Sequence, residues 1–259
     1  MFSKHLRKFL ESAEEIAHKR GWLREHNALW WTRRHLRRIV FVSGAVPWGT
    51  KSFEFWTLLM VILAVVRPRS IVELGSGRST SYLAEYAMKQ DVPYASIEQN
   101  RVYARKIRRG LKNSFLDPGY LHHVPIGEDG WYQLDDLSRA IKDPCEFLFV
   151  DGPVGAQEAI GRGVRRCERS DKWLAAAAAT SKVVIVDDVH RKSNLELFVA
   201  LLSGSEHLRP MYLNYYVQKI PNVVAIAILS SWYGTVADVC KQVRIDFVTD
   251  YSSDKCSEA

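Results

Sequence analysis

The sequence predicts an α/β protein with a doubly wound, mostly parallel, seven-stranded sheet that ends in an antiparallel hairpin. Three observations support this fold class. Apolar runs of strand length alternate with segments of helical periodicity from residue 52 onward, as in sheets that crossover helices cover on both faces. A glycine-containing turn joins the first such run to the helix after it. The last two runs are separated by a link too short for a crossover.

The elements follow in a regular order. An apolar helix over residues 52–66 precedes the first strand. The predicted strands occupy residues 70–74, 93–98, 120–126, 146–151, 182–187, 211–219 and 222–229. The predicted helices between them occupy residues 79–90, 100–114, 131–141, 156–180 and 193–202. The last two strands meet across Ile220-Pro221, so this pair is predicted to be antiparallel.

The composition, 47% hydrophobic and 25% charged, is typical of a soluble globular protein. The longest apolar stretch, residues 55–66, stops at Arg67-Pro68 and is too short to span a membrane. The N-terminus lacks the apolar core of a signal peptide. The four cysteines show no metal-ligand spacing, so we expect a cytoplasmic protein with reduced structural thiols.

The formal charge of +7 is unevenly placed. Residues 1–51 hold 11 Lys and Arg against 4 Glu, whereas residues 52–259 hold 25 of each sign. We therefore expect a basic helical N-terminal extension (1–51), a main domain (52–230) and a C-terminal extension and tail (231–259). The neutral main domain argues against a nucleic-acid partner. The extension either makes peripheral contact with an anionic membrane or an acidic partner, or packs on the main domain as two helices.

The turn Gly75-Ser76-Gly77 has the composition of a ligand-binding loop. Its glycines permit close backbone approach, and the following helix can present free N–H groups. The turn departs from the dinucleotide fingerprint G-x-G-x-x-G, because Thr80 occupies the third glycine position. Glu98 ends the second strand, 21 residues after Gly77, where a carboxylate can accept hydrogen bonds from two ribose hydroxyls. Together these features predict an adenosine-containing ligand.

At these residues the chain resembles the class I S-adenosylmethionine-dependent methyltransferases, over roughly residues 52–230. The resemblance includes the strand-helix order, the closing hairpin and the acidic-x-G-x-G motif, matched by residues 73–77. It implies a Rossmann-like methyltransferase fold with S-adenosylmethionine as cofactor. The implied cofactor-binding residues are Glu73, Gly75, Ser76, Gly77, Glu98, Gly127, Glu128 and Asp151.

The resemblance also implies a role for each of these positions. The loop 75–77 would lie against the methionine part of the cofactor, with Glu73 near its amino group. Glu98 would bind the ribose, and the residues Gly127-Glu128-Asp129 would contact the adenine. A nicotinamide-binding Rossmann domain is the alternative for this loop. It predicts a third glycine and six parallel strands without a terminal hairpin.

Three aspartates, Asp151, Asp187 and Asp188, end the fourth and fifth strands. Ligands bind at the carboxyl ends of the strands in a doubly wound sheet, so these side chains should converge beside the transferred methyl group. Adjacent carboxylates repel each other unless they are protonated or neutralised. One hypothesis is that all three hold Mg²⁺ or another divalent cation. The other is direct acid–base chemistry, with Asp151, Asp188 and His190 as the catalytic candidates and Arg191 holding an acidic acceptor.

The strand ends carry a second resemblance, to metal-dependent catechol-type O-methyltransferases. Their metal ligands are an Asp after the fourth strand and an Asp-Asn pair after the fifth, and Asp188 stands here in place of that Asn. The catalytic lysine of those enzymes is replaced by Val154. The runs "VDGPVG" and "VDDVHR" also resemble motifs of the glucuronoxylan methyltransferase family, which methylates an acidic sugar hydroxyl.

These resemblances imply methyl transfer to a hydroxyl oxygen of a small molecule or carbohydrate. Two alternatives stay open. A nucleic-acid methyltransferase predicts a basic active-site mouth and, for transfer to an amino group, a strand-four motif such as (N/D)-P-P-(Y/F). A non-catalytic protein on the same scaffold, anchored through its basic N-terminus, predicts that S-adenosylmethionine does not bind.

Overall fold

The structure, a computed structural model, describes residues 50–127, 130–141, 144–153, 168–189, 192–203, 205–217, 220–242 and 247. The predicted N-terminal extension lies outside them, apart from Thr50 and Lys51. The strands are β1 (Ile71–Leu74), β2 (Tyr94–Glu98), β3 (Leu121–His123), β4 (Phe147–Val150), β5 (Val183–Val186), β6 (Leu208–Val217) and β7 (Ile220–Leu229). The helices are α1 (Thr50–Val66), α2 (Arg78–Gln90), α3 (Arg101–Asn113), α4 (Leu134–Ala140), α5 (Glu168–Thr180), α6 (Lys192–Ser203) and α7 (Ser230–Gln242).

The seven strands form one sheet in the order β3-β2-β1-β4-β5-β7-β6. Strands β1 to β5 are parallel, and β7 runs antiparallel to β5 with Val183 opposite Ile228. The predicted fold class is therefore confirmed. Every residue of β1, β2, β4 and β5 is buried, which means that both faces of these strands are covered. The six parallel strands that a nicotinamide-binding Rossmann domain predicts are not found in the described sheet.

The predicted boundaries differ from the observed ones at several elements. The helix predicted over residues 131–141 begins at Leu134, and the helix predicted over residues 156–180 is described only from Glu168. Strand β6 begins at Leu208 rather than residue 211, and the link to β7 is residues 218–219, because Ile220-Pro221 already belongs to β7. The predicted strand 120–126 ends at His123, and Ile126 makes only an isolated bridge with Tyr132. Helix α7 was not predicted, because residues 231–259 were interpreted as an extension and tail.

Two compact units can be distinguished. The larger comprises residues 68–212 and 223–229 and contains β1 to β5 with helices α2 to α6. The smaller comprises, among the described residues, α1, residues 213–222 and α7. Within it α1 and α7 pack on each other. Helix α1 contributes fully buried residues such as Leu58 and Ile62, and α7 contributes Val236.

Two further expectations concern the state of the cysteines and the presence of a membrane-spanning helix. Cys145 and Cys240 are free and buried, as predicted for structural thiols, and burial raises the pKa of each to about 12. Cys167 and Cys256 lie outside the described residues. In the part of the chain that the structure describes, no helix has both the length and the apolar character that crossing a membrane requires.

The carboxylate of Glu146 forms hydrogen bonds at the amino ends of the three central strands. Glu146 precedes β4, and its Oε2 accepts the Arg69 backbone N–H at 2.7 Å and the Lys182 ammonium at 2.8 Å. Its Oε1 accepts the Arg69 Nε–H at 3.0 Å. Because Arg69 precedes β1 and Lys182 precedes β5, this cluster fixes the alignment of β1, β4 and β5. Partial burial acts to raise the pKa of Glu146, but hydrogen bonds from Lys182 and Arg69 outweigh it and lower that pKa.

We predict that Glu146→Gln lowers the free energy of unfolding by about 1 kcal/mol at neutral pH, a figure reduced for solvent screening. The contribution of a carboxyl with a lowered pKa is present above its ordinary pKa of 4.5 and is lost as the pH falls through the lowered value. Urea unfolding at neutral and acidic pH measures the difference. The control is Asp136→Asn, which removes an exposed pair with Arg139 within α4. Equal losses in both variants, or a loss that persists in acid, would contradict the prediction.

Candidate active site

The strand order predicts a ligand-binding crevice at the carboxyl ends of β1 and β4. These strands are neighbours, but the chain continues from β1 towards β2 on one side and from β4 towards β5 on the other. At such a switch point the two following loops diverge, and ligands of open α/β sheets bind in the gap between them. The loops here are Gly75-Ser76-Gly77 and Asp151-Gly152-Pro153.

The two loops touch each other through glycines. Gly75 has a φ of 91°, in the region that favours glycine. A Cβ at Gly75 would lie 2.5 Å from the Asp151 carbonyl oxygen, and one at Gly152 would lie 2.8 Å from the Gly75 Cα. The sequence analysis predicted Gly75 as a loop residue but did not identify Gly152 as the residue it contacts. Gly152 could have been found from its position directly after Asp151, which ends the predicted fourth strand.

Gly77 has a different role, at the start of α2. Its backbone is extended, with a φ of −169°, and its N–H donates to the Thr80 hydroxyl at 2.8 Å. A Cβ at Gly77 would meet no described atom within 4 Å. The helix therefore begins beside open space at the edge of the crevice, where a ligand can approach the backbone.

Glu98 is held at the end of β2 with only 6% of its surface exposed. Its Oε2 accepts the Ser76 hydroxyl at 2.7 Å, and its Oε1 accepts the Asn100 N–H at 2.7 Å. Ser76 thereby links the glycine loop to the carboxylate that is predicted to bind ribose. Since a carboxylate has about four acceptor positions, these two bonds leave capacity for the two hydroxyls of a ribose.

Glu73 is completely buried beneath the glycine loop. Its Oε2 accepts hydrogen bonds from three hydroxyls, those of Tyr94 at 2.6 Å, Ser96 at 2.6 Å and Thr80 at 2.8 Å. Burial raises the pKa of Glu73, and hydrogen bonds from neighbouring hydroxyls act against that rise. Its other oxygen, Oε1, has no hydrogen-bond partner among the described residues. The hydroxyl cage formed by Thr80, Tyr94 and Ser96 was not found from the sequence, since its members come from two separate elements.

The aspartates after β5 form a tight turn. The Asp187 N–H donates to the Val150 carbonyl at 2.9 Å and so extends the β4–β5 pairing. Asp187 Oδ1 accepts the Asp188 N–H at 2.8 Å, and Asn194 of α6 donates to the Asp187 carbonyl at 3.0 Å. Asp188 has a φ of 56°, a left-handed conformation that Asp and Asn tolerate better than most residues.

The remaining predicted residues are placed as follows. Among the described residues, no three or more His, Cys, Asp or Glu side chains form a group that could hold a metal ion. Asp151, Asp187 and Asp188 therefore do not fit a metal site in which all three are ligands.

Gly127 donates its N–H to the Trp131 carbonyl at 2.7 Å, in the loop after β3 where the adenine contact was predicted. Glu128, Asp129, Val154, His190 and Arg191 lie outside the described residues.

Comparisons with known proteins gave the following results. No protein-family model matches the chain, and no curated protein matches its sequence. Similar solved structures include the cofactor-bound Rv0187 from MTB, with a TM-score of 0.48 and 17% identity over 75% of this chain and 88% of that one. An O-methyltransferase from Bacillus cereus in complex with SAH has a TM-score of 0.47 and 16% identity, over 76% and 90%. A precorrin-6y C5,15-methyltransferase from Geobacter metallireducens GS-15 has a TM-score of 0.42 and 15% identity, over 71% and 92%.

We predict losses of stability of very different size for alanine at the two loop glycines. Gly75→Ala should lower the free energy of unfolding by about 3 kcal/mol or more, through the left-handed backbone and the contact with Asp151. Gly77→Ala should cost at most about 1 kcal/mol, the penalty of a weaker helix cap. Urea unfolding of both variants tests this. Similar losses in the two variants would show that the close contact between the two loops does not require glycine at position 75.

Proposed function

We propose that this chain is an S-adenosylmethionine-dependent methyltransferase that acts on a hydroxyl oxygen of a small molecule or sugar. One observation supports this more than any other. The glycine loop after β1 packs on the loop after β4 at the switch point, and Ser76 joins that loop to a buried Glu98 at the end of the next strand. An adenosine ligand needs its ribose acceptor and its backbone-lined loop at adjacent strand ends, which is this arrangement.

The charge of the crevice suits this cofactor. The carboxyl ends of β2 and β4 carry the carboxylates of Glu98 and Asp151. S-adenosylmethionine has a sulfonium and an ammonium group, and nearby carboxylates stabilise both cations. The product, S-adenosylhomocysteine, has lost the sulfonium charge, so the acidic edge favours the substrate form of the cofactor over the product form.

The reaction breaks the bond between sulfur and the methyl carbon and forms one between that carbon and the acceptor oxygen. The chain must align the two groups and accept the hydroxyl proton. Asp188 lies on the turn after β5, and His190 follows two residues later; either is a base of suitable chemistry. Because the described aspartates do not fit a metal ion as a group, we assign no step to one. Val154 occupies the position of the lysine in catechol-type enzymes, and valine cannot accept a proton. We therefore assign the proton transfer to Asp188 or His190.

We predict that the protein binds S-adenosylhomocysteine and that Glu98→Gln weakens this binding by about ten- to a hundredfold. Glutamine keeps an acceptor for the Asn100 N–H and can donate to Ser76, so the fold should be preserved. It offers one acceptor in place of the carboxylate that two ribose hydroxyls need. Isothermal titration measures both affinities, and NAD⁺ serves as the ligand control.

The control variant for that experiment is Glu85→Gln. Glu85 is a buried glutamate of α2 that pairs with Lys89 at 2.7 Å, and its replacement should not change the affinity. If the wild-type protein fails to bind S-adenosylhomocysteine, the proposed function is wrong and a non-catalytic scaffold is favoured. Equal affinities of wild type and Glu98→Gln would remove Glu98 from the ribose site.

A second prediction concerns the acceptor side. Asp188→Asn should preserve the turn, because Asn also tolerates a positive φ, and should leave S-adenosylhomocysteine affinity unchanged. Removing the base should slow methyl transfer by about 10²- to 10⁴-fold. The measurement is release of S-adenosylhomocysteine with a panel of small hydroxylated compounds and acidic sugars. Unchanged turnover in a folded Asp188→Asn protein would leave Asp151 or His190 as the base, for which Asp151→Asn and His190→Gln are the matching variants.

A further inference from the structure

Helix α3 concentrates positive charge on the larger unit. Its 13 residues include six Lys and Arg and no Asp or Glu. Residues 52–259 hold 25 charged residues of each sign, so outside α3 this range holds 19 Lys and Arg against 25 Asp and Glu. Arg101, Arg105 and Arg109 follow one another at spacings of four residues, and like charges at that spacing destabilise a helix. The stability of the helix therefore does not explain its composition.

One face of α3 attaches the helix to the sheet. Ala104 and Leu111 are its buried residues. Arg108 donates to the Leu121 carbonyl of β3, from its Nη2 at 2.9 Å and from its Nε at 3.3 Å. Arg108 thus has a structural role, whereas these contacts give no role to the other five basic residues of the helix.

The opposite face of α3 is exposed and cationic. Val102, Lys106 and Arg109 follow at i, i+4 and i+7, which places them on one side of the helix. Arg105 lies beside them, and all four residues of this cationic face are exposed. The Lys106 ammonium lies 5.9 Å from the centre of the Tyr103 ring. No described Asp or Glu forms an ion pair with a basic residue of the cationic face.

Phe115, directly after the C-cap of α3, is a second feature that is costly in water. Its side chain is 89% exposed. Its φ is 58°, in the left-handed region that glycine or asparagine usually occupies after a helix and that bulky residues rarely adopt. The next residue, Leu116, is buried, so the turn exposes Phe115 while it buries its neighbour. Val102, near the other end of α3, is 75% exposed.

We propose that the cationic face of α3, together with Phe115, binds an anionic lipid surface. Lys and Arg beside such a surface are attracted to the lipid phosphates, and apolar side chains enter the headgroup region. The 13 residues of α3 extend about 20 Å. The helix can therefore lie flat on a membrane, with Val102 and Phe115 at its two ends and the basic residues between them.

The exposed apolar residues select this partner over other anionic ones. A nucleic acid or an acidic protein would also attract the basic residues. Val102, however, has neither a hydrogen-bonding group nor a ring with which to recognise a base, whereas binding at a lipid surface uses cations and apolar side chains together. This role is independent of the proposed function and concerns a described surface of the main domain, not residues 1–51.

The test measures binding of the whole chain to vesicles of phosphatidylcholine mixed with phosphatidylglycerol, by co-sedimentation and without cofactor. Wild type should bind these vesicles more tightly than vesicles of pure phosphatidylcholine, and added salt should release it. Replacing Arg105 and Arg109 together by Gln should weaken binding about tenfold or more. The matched control replaces Arg209 and Lys241 by Gln, which removes the same charge from exposed residues elsewhere. It should change binding by less than about twofold.

Phe115→Asn tests the apolar part of the surface. It should weaken vesicle binding about fivefold or more, because no ring then enters the headgroup region. Asparagine tolerates the left-handed conformation, so the melting temperature without vesicles should stay the same or rise. A purely structural Phe115 would instead lower the melting temperature and leave vesicle binding of the folded variant unchanged.

The proposal is overturned if wild type does not bind the mixed vesicles, or if either the α3 double variant or Phe115→Asn binds them as tightly as wild type. Equal weakening in the α3 double variant and its control would show a general charge effect and would also overturn it. So would binding of a short duplex RNA instead of vesicles, or a dimer without vesicle binding that the α3 double variant disrupts. Selective weakening by the α3 double variant and by Phe115→Asn, with stability retained, supports the proposal.

Discussion

The close backbone contact between Gly75 and Gly152 is the constraint on which the rest of the site depends. A β-carbon at either position would collide with the opposite loop, so the loops can meet only because both positions are glycine. Their contact lies at the switch point between β1 and β4. Ser76 of the first loop reaches Glu98, and Tyr132, which lies between β3 and α4, packs against the contact. The candidate site is thus assembled from loops that are distant in sequence.

The buried acid below this contact shows how the fold stabilises a carboxyl group without a cation. Removing a carboxylate from water is costly, and the cost falls when several donors replace its hydration. Glu73 receives three hydroxyl donors on one oxygen. One of them, Thr80, also accepts the Gly77 N–H. The hydroxyl cage therefore connects Glu73 to the start of α2.

Features coded by short contiguous patterns could be predicted from the sequence. Buried parallel strands are continuous apolar runs, which is why β1, β4 and β5 were found within a residue or so of their ends. The glycine loop, Glu98 and the terminal aspartates follow such runs directly, so they could be assigned to the same edge of the sheet.

Features that depend on contacts between distant segments could not be predicted. The cage around Glu73 combines residues of α2 and β2 whose polar character alone suggests a surface. Tyr132 was expected to lie in a helix, but the bridge to Ile126 keeps it outside α4 and directs its hydroxyl towards Gly152. The hairpin link was misplaced because Pro221 signals a turn locally, whereas the pairing with β5 draws it into β7.

The two adjacent aspartates after β5 have a conformational explanation as well as a chemical one. Asp187 accepts the next backbone N–H, and Asp188 adopts a left-handed backbone. Asp and Asn are the residues best suited to that conformation. What Asp188 adds over Asn is a negative charge on this turn, and in the proposed function that charge would accept the proton of an acceptor hydroxyl.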